Sequence, residues 1–190
     1  TPDSGIGYMA GVSYEMPEIA LKVLLTQAPG IDIVVPTTVV GSGTVSQPSF
    51  TTLEFETGIA NNTLMFGSIH QGEHASAQVK LNGIGAISSF TDGEKYNIGV
   101  GRKFSEKLSG SFSYTTEEGS SATGTSLLSP TNGTDTYSIG VNYVTESVDV
   151  AFGYAMSSFG DKAVTTAYGT GNFTNNDATT TGLRVKFKLP

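Results

Sequence analysis

Apolar and small polar residues alternate along the stretch from Glu94 to Tyr114. The apolar and aromatic positions are Tyr96, Ile98, Val100 and Phe104 in its first arm and Leu108, Phe112 and Tyr114 in its second. Glycine, serine, asparagine and lysine lie between them, and Arg102 interrupts the apolar positions next to the turn, where its long side chain can reach water. Side chains of a β-strand point to opposite faces with a period of two. The pattern therefore predicts an antiparallel hairpin with one apolar face and one small, polar face.

The same alternation recurs along the chain and predicts about nine strands. They cover residues 6–14, 19–26, 51–59, 64–70, 96–104, 108–114, 137–143, 148–156 and 183–189. Short turns alternate with long connections at residues 28–48, 71–94, 117–134 and 159–179. Outer-membrane barrels have short periplasmic turns and longer extracellular loops. The predicted fold class is therefore all-β, an antiparallel up-and-down transmembrane β-barrel.

A soluble β-sandwich would show the same alternation, with its apolar face turned toward a second sheet. Two features favour the membrane barrel. The polar face is rich in glycine, and tyrosine or phenylalanine recurs near the ends of the apolar files. Aromatic residues at these positions are typical of the girdles at membrane interfaces. The pattern does not decide which face of the strands meets lipid.

Composition excludes several other classes of protein. The net charge of −7 argues against nucleic acid as a partner, because phosphates require clusters of lysine and arginine. The chain has no cysteine, so neither a disulfide framework nor thiolate chemistry is available. No run of about 18 apolar residues predicts a transmembrane helix. No cofactor is predicted.

The two histidines stand in the stretch His70-Gln71-Gly72-Glu73-His74, which matches the H-x-x-E-H signature of some zinc proteases. That signature requires both histidines on a helix, whereas this stretch leaves a predicted strand and contains Gly72. A polar strand end is the favoured interpretation, and the chain is not predicted to be an enzyme. An outer-membrane hydrolase that uses His70 or His74 is the weakest of the hypotheses.

Five segments, taken in order, resemble the C-terminal part of the FadL-type outer-membrane transporters for long-chain fatty acids and other hydrophobic compounds. They are GIGYMAGVSYEMPEIALKVLLT, PSFTTLEFETGIANNTLMFGSI, EKYNIGVGRKFSEKLSGSFSY, LLSPTNGTDTYSIGVNYVTESVDVAFGYA and TTTGLRVKFKLP. The resemblance implies a barrel of about fourteen strands, with an N-terminal hatch in its lumen. It also implies that ligand is captured near the extracellular loops and leaves sideways through the barrel wall.

Residues 1–190 are expected to form a single β-barrel domain or the C-terminal portion of one, with no hatch domain. An odd number of strands does not close a bacterial single-chain barrel in the usual even-numbered way. Open strand edges are not tolerated in lipid. The chain is therefore expected either to be a fragment of a larger barrel or to form a homo-oligomer through its open strand edges.

The resulting hypothesis is passive passage of hydrophobic molecules, such as long-chain fatty acids, across the bacterial outer membrane. The protein would then contact outer-membrane lipid and lipopolysaccharide. Apolar side chains in the long loops are expected to concentrate the ligand, and these are Phe90, Leu127 and Leu128. Cations of the polar face are expected to hold a carboxylate head group through charge-assisted hydrogen bonds, and these are Lys22, Arg184 and Lys186.

The alternative hypothesis is a structural or adhesive β-protein that self-assembles through its unpaired strand edges and transports nothing. It predicts a product that is soluble in water or filamentous, without an acyl ligand. The two hypotheses share the strands and differ in what covers the apolar face.

Overall fold

The computed structural model describes residues 4–37, 41–88, 90–120 and 132–188. Its strands, in chain order, are β1 (Ala10–Met16), β2 (Leu21–Ala28), β3 (Ile31–Thr37), β4 (Gly41–Gln47), β5 (Phe50–Ala60), β6 (Thr63–Gly72), β7 (Lys80–Leu81), β8 (Gly85–Ala86), β9 (Gly93–Lys103), β10 (Leu108–Glu117), β11 (Thr134–Val144), β12 (Val148–Phe159), β13 (Lys162–Thr166), β14 (Gly169–Phe173) and β15 (Asn176–Phe187). A short 3-10 turn, Pro17–Ile19, joins β1 to β2. In the described ranges, no helix is long and apolar enough to cross a bilayer.

Nine strands form one antiparallel sheet in the order β1-β2-β5-β6-β9-β10-β11-β12-β15. Each strand pairs with the strands that come before and after it in this list, so the sheet is an up-and-down meander. All nine correspond to the strands predicted from the alternation. The predicted all-β, antiparallel, up-and-down order is confirmed. The two outer strands, β1 and β15, are not paired with each other in the part of the chain that the structure describes.

Two of the predicted strand boundaries are wrong. The first strand begins at Ala10 rather than residue 6, and Ile6 is 95% exposed. The last strand begins at Asn176, seven residues before the predicted start at residue 183. Its first half is rich in threonine and lacks alternating apolar residues, so the sequence pattern did not predict a strand there. Backbone pairing with β12 nevertheless continues to Asn176.

The long connections are not the structureless loops that were predicted. β3 and β4 form a hairpin within residues 28–48, and β7 and β8 extend it to a four-stranded sheet. β13 and β14 form a second hairpin within residues 159–179, in which Val164 is fully buried. Proline and glycine suggested loops here, but the β-branched residues of Ile31–Thr37 favour a strand. Most of the connection at 117–134 lies outside the described residues.

The cross-strand register separates the nine strands into two faces. One row of paired residues on the apolar face is Met65, Val100, Phe112, Ile139 and Tyr154. The neighbouring row on the polar face is Gly101, Ser111, Gly140, Gly153 and Gly182. Every strand of these rows keeps the predicted alternation. The sheet therefore has one continuous apolar face and one continuous face of small residues.

The apolar face has no covering layer among the described residues. Only Ala77 and Val164 are buried apolar side chains there, whereas Phe112 is 47% exposed and Ile139 is 48% exposed. Contact with water costs about 25 cal/mol for each Å² of apolar surface. A soluble sandwich removes that cost with a second sheet, which these residues do not supply.

We expect a charge on the apolar face to destabilise the sheet in a bilayer much more than the same charge on the polar face. Ile139→Arg should make folding into lipid vesicles less favourable by about 2–4 kcal/mol, because the guanidinium would lie in hydrocarbon. The neighbouring Ser138→Arg, on the polar face, should change it by no more than about 0.5 kcal/mol. Urea titration of folding into vesicles measures both, and equal losses would contradict the assignment of the faces.

Candidate functional site

The polar face carries two cavities that meet along β6. The first has a volume of about 610 Å³ and lies beside the short turns. The second, of about 420 Å³, lies next to it toward the long connections. Leu64 lines the first cavity and Phe66 the second. These two residues are neighbours on one face of β6, so the cavities adjoin each other.

The first cavity is lined by three cations and, among the described residues, by no carboxylate. The cations are Arg102, Lys103 and Arg184, and we call this site the basic cavity. Within the described ranges, none of these three side chains makes an ion pair or a hydrogen bond. The cavity therefore holds positive charge that the described part of the protein does not neutralise.

Two of these cations lie at the two ends of one row of paired residues, and both line the cavity. Lys103 pairs with Ser109 of β10, and the row continues through Asn142 and Ala151 to Arg184 of β15. Arg102 also lines the cavity, but it lies at the end of β9 opposite Gly110, in the apolar row, so its side chain leaves the strand on the other face of the sheet. Residues from distant parts of the sequence thus share one site.

Glycine leaves open space on the polar face next to the basic cavity. A Cβ atom added to Gly153 or Gly182 would meet no atom within 4 Å. Glycine inside a strand costs about 0.5–1 kcal/mol relative to alanine. The two glycines therefore cost some stability, and the polar face has no side chain at either position.

The second cavity, which we call the acidic cavity, has the opposite charge balance. Lys22, Glu54 and Glu56 line it, and Lys22 is also paired with Glu15 at 3.3 Å. Glu56 lies directly opposite Lys22 in the register of β2 and β5. One cation thus stands among three carboxylates. The carboxylate-binding role of Lys22 stays a prediction, and its surroundings differ from those of Arg184.

An apolar strip crosses this otherwise polar wall. Leu24 and Phe66 line the acidic cavity, and Leu64 lines the basic one. The ring of Phe66 lies over Gly99 of the next strand, so closely that an added Cβ there would stand 2.6 Å from Phe66 Cε2. The sequence interpretation missed these residues as site residues. The weak alternation at 64–70 could have revealed them, because it arises from Leu64 and Phe66, two apolar residues on the polar face.

The other predicted site residues are not gathered in either cavity. Lys186 lies opposite Asp149 in the register of β12 and β15. Phe90 lies in the second long connection, where its backbone N–H donates to Gln78 Oε1 at 3.0 Å and its carbonyl accepts from Gln78 Nε2 at 2.9 Å. Leu127 and Leu128 lie outside the described residues. The binding roles of these residues stay predictions.

The histidines occupy a strand end, as the sequence interpretation favoured. His70 lies in β6, where Nδ1 and Thr52 Oγ1 are 2.8 Å apart, and its ring stacks on Phe50 with centroids 5.1 Å apart. His74 lies in the turn after β6. The stretch is not helical, so it does not have the geometry of the zinc-protease signature. Within the described residues, no three histidine, aspartate or glutamate side chains are grouped to hold a metal ion.

Tyrosines mark the end of the apolar face nearest the long connections. The rings of Tyr114 and Tyr137 are 5.0 Å apart, and the Tyr114 hydroxyl donates to Asp135. The Tyr96 hydroxyl donates to Glu94 in the same way. Rings on apolar surface with hydroxyls bound to acids suit a boundary between hydrocarbon and water.

Two solved structures share this arrangement of strands. A Pseudomonas aeruginosa FadL homologue superposes with a TM-score of 0.70 at 11% identity, over 94% of this chain and 50% of that one. The chain has the fold of a FadL-type barrel. The CymD monoaromatic hydrocarbon channel superposes with a TM-score of 0.62 at 12% identity, over 98% of this chain and 52% of that one. No protein-family model and no curated protein matches the sequence.

The resemblance to the FadL-type barrel is confirmed at the level of the fold, and the chain spans about half the length of the two matched structures. In a barrel, one face of every strand points inward and the other outward. The polar face carries the cavities and the small residues that a lumen accommodates. We therefore assign the basic and acidic cavities to the inner wall and the apolar face to the outside.

We expect two glycines of the inner wall to respond oppositely to an added methyl group. Gly99→Ala should cost about 1–3 kcal/mol of stability, because the new Cβ would displace the Phe66 ring and lie 2.8 Å from the Phe112 carbonyl oxygen. Gly153→Ala meets open space and should be neutral or stabilising by up to about 1 kcal/mol. Urea unfolding in detergent compares them, and equal effects would contradict the position of the Phe66 ring.

Proposed function

We propose that this chain forms part of a barrel in the bacterial outer membrane that lets hydrophobic molecules pass by diffusion. The observation that carries the proposal is the continuous apolar face, which the described residues leave uncovered, on a fold shared with a FadL homologue. Lipid covers such a face in a membrane barrel. One of the matched structures is a channel for monoaromatic hydrocarbons.

The length of the strands supports the membrane assignment. β11 has 11 residues and would extend for about 37 Å at the usual rise of a strand. Tilted by about 45°, it would cross about 26 Å, close to the apolar band of outer-membrane barrels. The tyrosines at one end of this face then lie at the interface, where lipid and lipopolysaccharide head groups begin.

The open edges of β1 and β15 require partners in such a membrane. Their backbone N–H and C=O groups find no water in hydrocarbon, and each unsatisfied group costs several kcal/mol. Further strands of the same barrel or a second copy of the chain would satisfy them. The sheet order and the twofold greater length of the matched structures suit the first arrangement.

The passage itself needs no catalysis. Exposed apolar side chains of the second long connection, Ile84, Ile87 and Phe90, would collect the ligand from water. Leu127 and Leu128 are proposed to act in the same way. Ligand would then move along the apolar strip of Leu24, Phe66 and Leu64 inside the barrel. More specifically, we propose long-chain fatty acids as the ligand.

Spin labels provide the test of the membrane assignment. The chain has no cysteine, so single cysteines can be introduced without background. Labels at Ile98→Cys and Ile139→Cys should be accessible to oxygen dissolved in lipid. Labels at the adjacent Asn97→Cys and Ser138→Cys should be accessible instead to a water-soluble nickel chelate. If all four labels meet the chelate and the protein remains soluble without detergent, the adhesive or structural alternative replaces this proposal.

Uptake of hydrophobic molecules by cells tests whether they pass through the lumen. In cells with the full-length protein in the outer membrane, Gly153→Phe with Gly182→Phe should reduce uptake of labelled octadecenoate or toluene, because both rings would fill the lumen. We expect a loss of about tenfold, the effect of adding about 1.4 kcal/mol to the barrier. Thr181→Phe, on the outer face of β15, adds a ring of the same size as a control and should leave uptake unchanged. Unchanged uptake in the double variant at equal protein levels would refute passage through this lumen.

A further inference from the structure

The outer face changes from apolar to polar where the long connections begin. Its last apolar row, paired from strand to strand, is Val12, Leu25, Leu53, Ile69 and Tyr96. The next row on the same face is Ala10, Gln27, Thr51, Gln71 and Glu94. Neighbouring residues of one face lie about 7 Å apart along a strand. Groups able to form hydrogen bonds therefore replace apolar side chains within one such step.

A cavity of about 490 Å³ adjoins the polar row, and we call it the rim cavity. Four members of that row line it, and so do Ser49, Glu73 and Asp92 of the connections. Its volume is within the usual range of small-molecule sites, about 300–1,000 Å³. Phe50 and His70 of the same strands lie on the inner face and are not part of its wall. The rim cavity therefore belongs to the outer face, on the other side of the sheet from the basic and acidic cavities.

Neutral donors hold the carboxylates of the rim cavity in place. Ser49 Oγ donates to Glu73, and the Ala75 N–H donates to Asp92 Oδ1 at 2.9 Å. An ionised carboxylate can accept about four hydrogen bonds, so each of these groups keeps free lone pairs. Within the described residues, no three acidic or histidine side chains are grouped to hold a metal ion. Fixed acceptors of this kind suit the hydroxyl groups of a ligand.

An amide and a hydroxyl of the same cavity are free. Gln27 and Thr51 lie opposite each other in the register of β2 and β5. Within the described ranges, their side chains make no hydrogen bond. A primary amide both donates and accepts, and so does a hydroxyl. A cationic ligand would use only the acceptors and leave the amide donors unpaired, whereas a ligand with several hydroxyls would use both.

The position of the rim cavity indicates what carries these hydroxyls. The Tyr96 hydroxyl donates to Glu94, which joins the last apolar row to the polar one. Tyrosine in this arrangement suits the boundary between hydrocarbon and water. The long loops of an outer-membrane barrel are extracellular, and the leaflet on that side is built of glycolipid. Its sugar head groups lie at the height of the cavity, whereas the carboxylates would repel a phosphate group.

We propose that the rim cavity binds a sugar ring of a membrane glycolipid. Hydroxyls of the ring bond to Gln27, Thr51 and Asp92, and the acyl chains lie on the exposed side chains of Leu25 and Leu53. The cavity prefers a neutral sugar to a polyether or a cationic head group on the same chain. This inference rests on the membrane assignment, which the spin labels test separately, and it concerns the outer face rather than the lumen.

The test compares three head groups on one alkyl chain. The full-length protein is kept in octyl tetraethylene glycol ether. Native mass spectrometry then measures the adducts of dodecyl maltoside, dodecyl octaethylene glycol ether and dodecyltrimethylammonium at equal concentrations. We expect the maltoside to bind about tenfold more tightly than either of the others, the gain of about one net hydrogen bond. Free maltose, which has no chain to bury, should compete only weakly.

Two double variants localise the preference for sugar. Gln27→Leu with Thr51→Val removes the free amide and hydroxyl while keeping their approximate shape. This variant should bind the maltoside no more tightly than the polyether, and its unchanged affinity for the polyether shows that it is folded. Gln47→Leu with Thr181→Val makes the same chemical changes outside the rim cavity, in β4 and on the outer face of β15. This control should keep the full preference.

Four results would overturn the inference. Equal affinity for maltoside and polyether in the unaltered protein would remove the preference for sugar. Tightest binding of the trimethylammonium head would mean that the carboxylates recognise a cation instead. Competition by free maltose as strong as that by the maltoside would remove the membrane as the source of the sugar. A loss in the control as large as in the Gln27 and Thr51 variant would remove the assignment to the rim cavity. Passage through the lumen would stand in each case, because the rim cavity lies outside it.

Discussion

The backbone register between neighbouring strands is the constraint on which the other features of this protein depend. Side chains alternate with a period of two, so a slip of one residue between two strands would move an entire apolar file to the opposite face. The register from β2 to β12 keeps Phe112 and Ile139 on one face and Ser111 and Gly140 on the other. One apolar face and one small-residue face follow directly from it.

The same register decides which charges meet. Lys22 and Glu56 are paired because β2 and β5 are neighbours, although a hairpin lies between them in the sequence. Lys103 and Arg184 occupy the two ends of another row, and the residues of that row on the three strands between them are uncharged. Backbone pairing thus produces a compensated site and an uncompensated one on the same wall.

Because the apolar face is uncovered, the stability of the sheet depends on what surrounds that face. A globular protein stabilises its strands by burying one face against another layer. Here the described residues bury Val164 and Ala77 but leave side chains such as Leu183 exposed. The burial of that face must therefore come from whatever covers it in the assembled protein. The glycines of the opposite face leave open space there.

The sequence alone determined the nine strands and the two faces, because alternation is a local property that is visible at Ile98, Val100 and their neighbours. It did not reveal the hairpins within the long connections, where Pro36 and nearby glycines outweighed the β-branched residues. It suggested Arg184 as a site residue but not Lys103, and it gave no reason to separate Lys22 from them. Only the tertiary structure decided these points, since hydrogen bonding between strands far apart in the chain sets which side chains share a row.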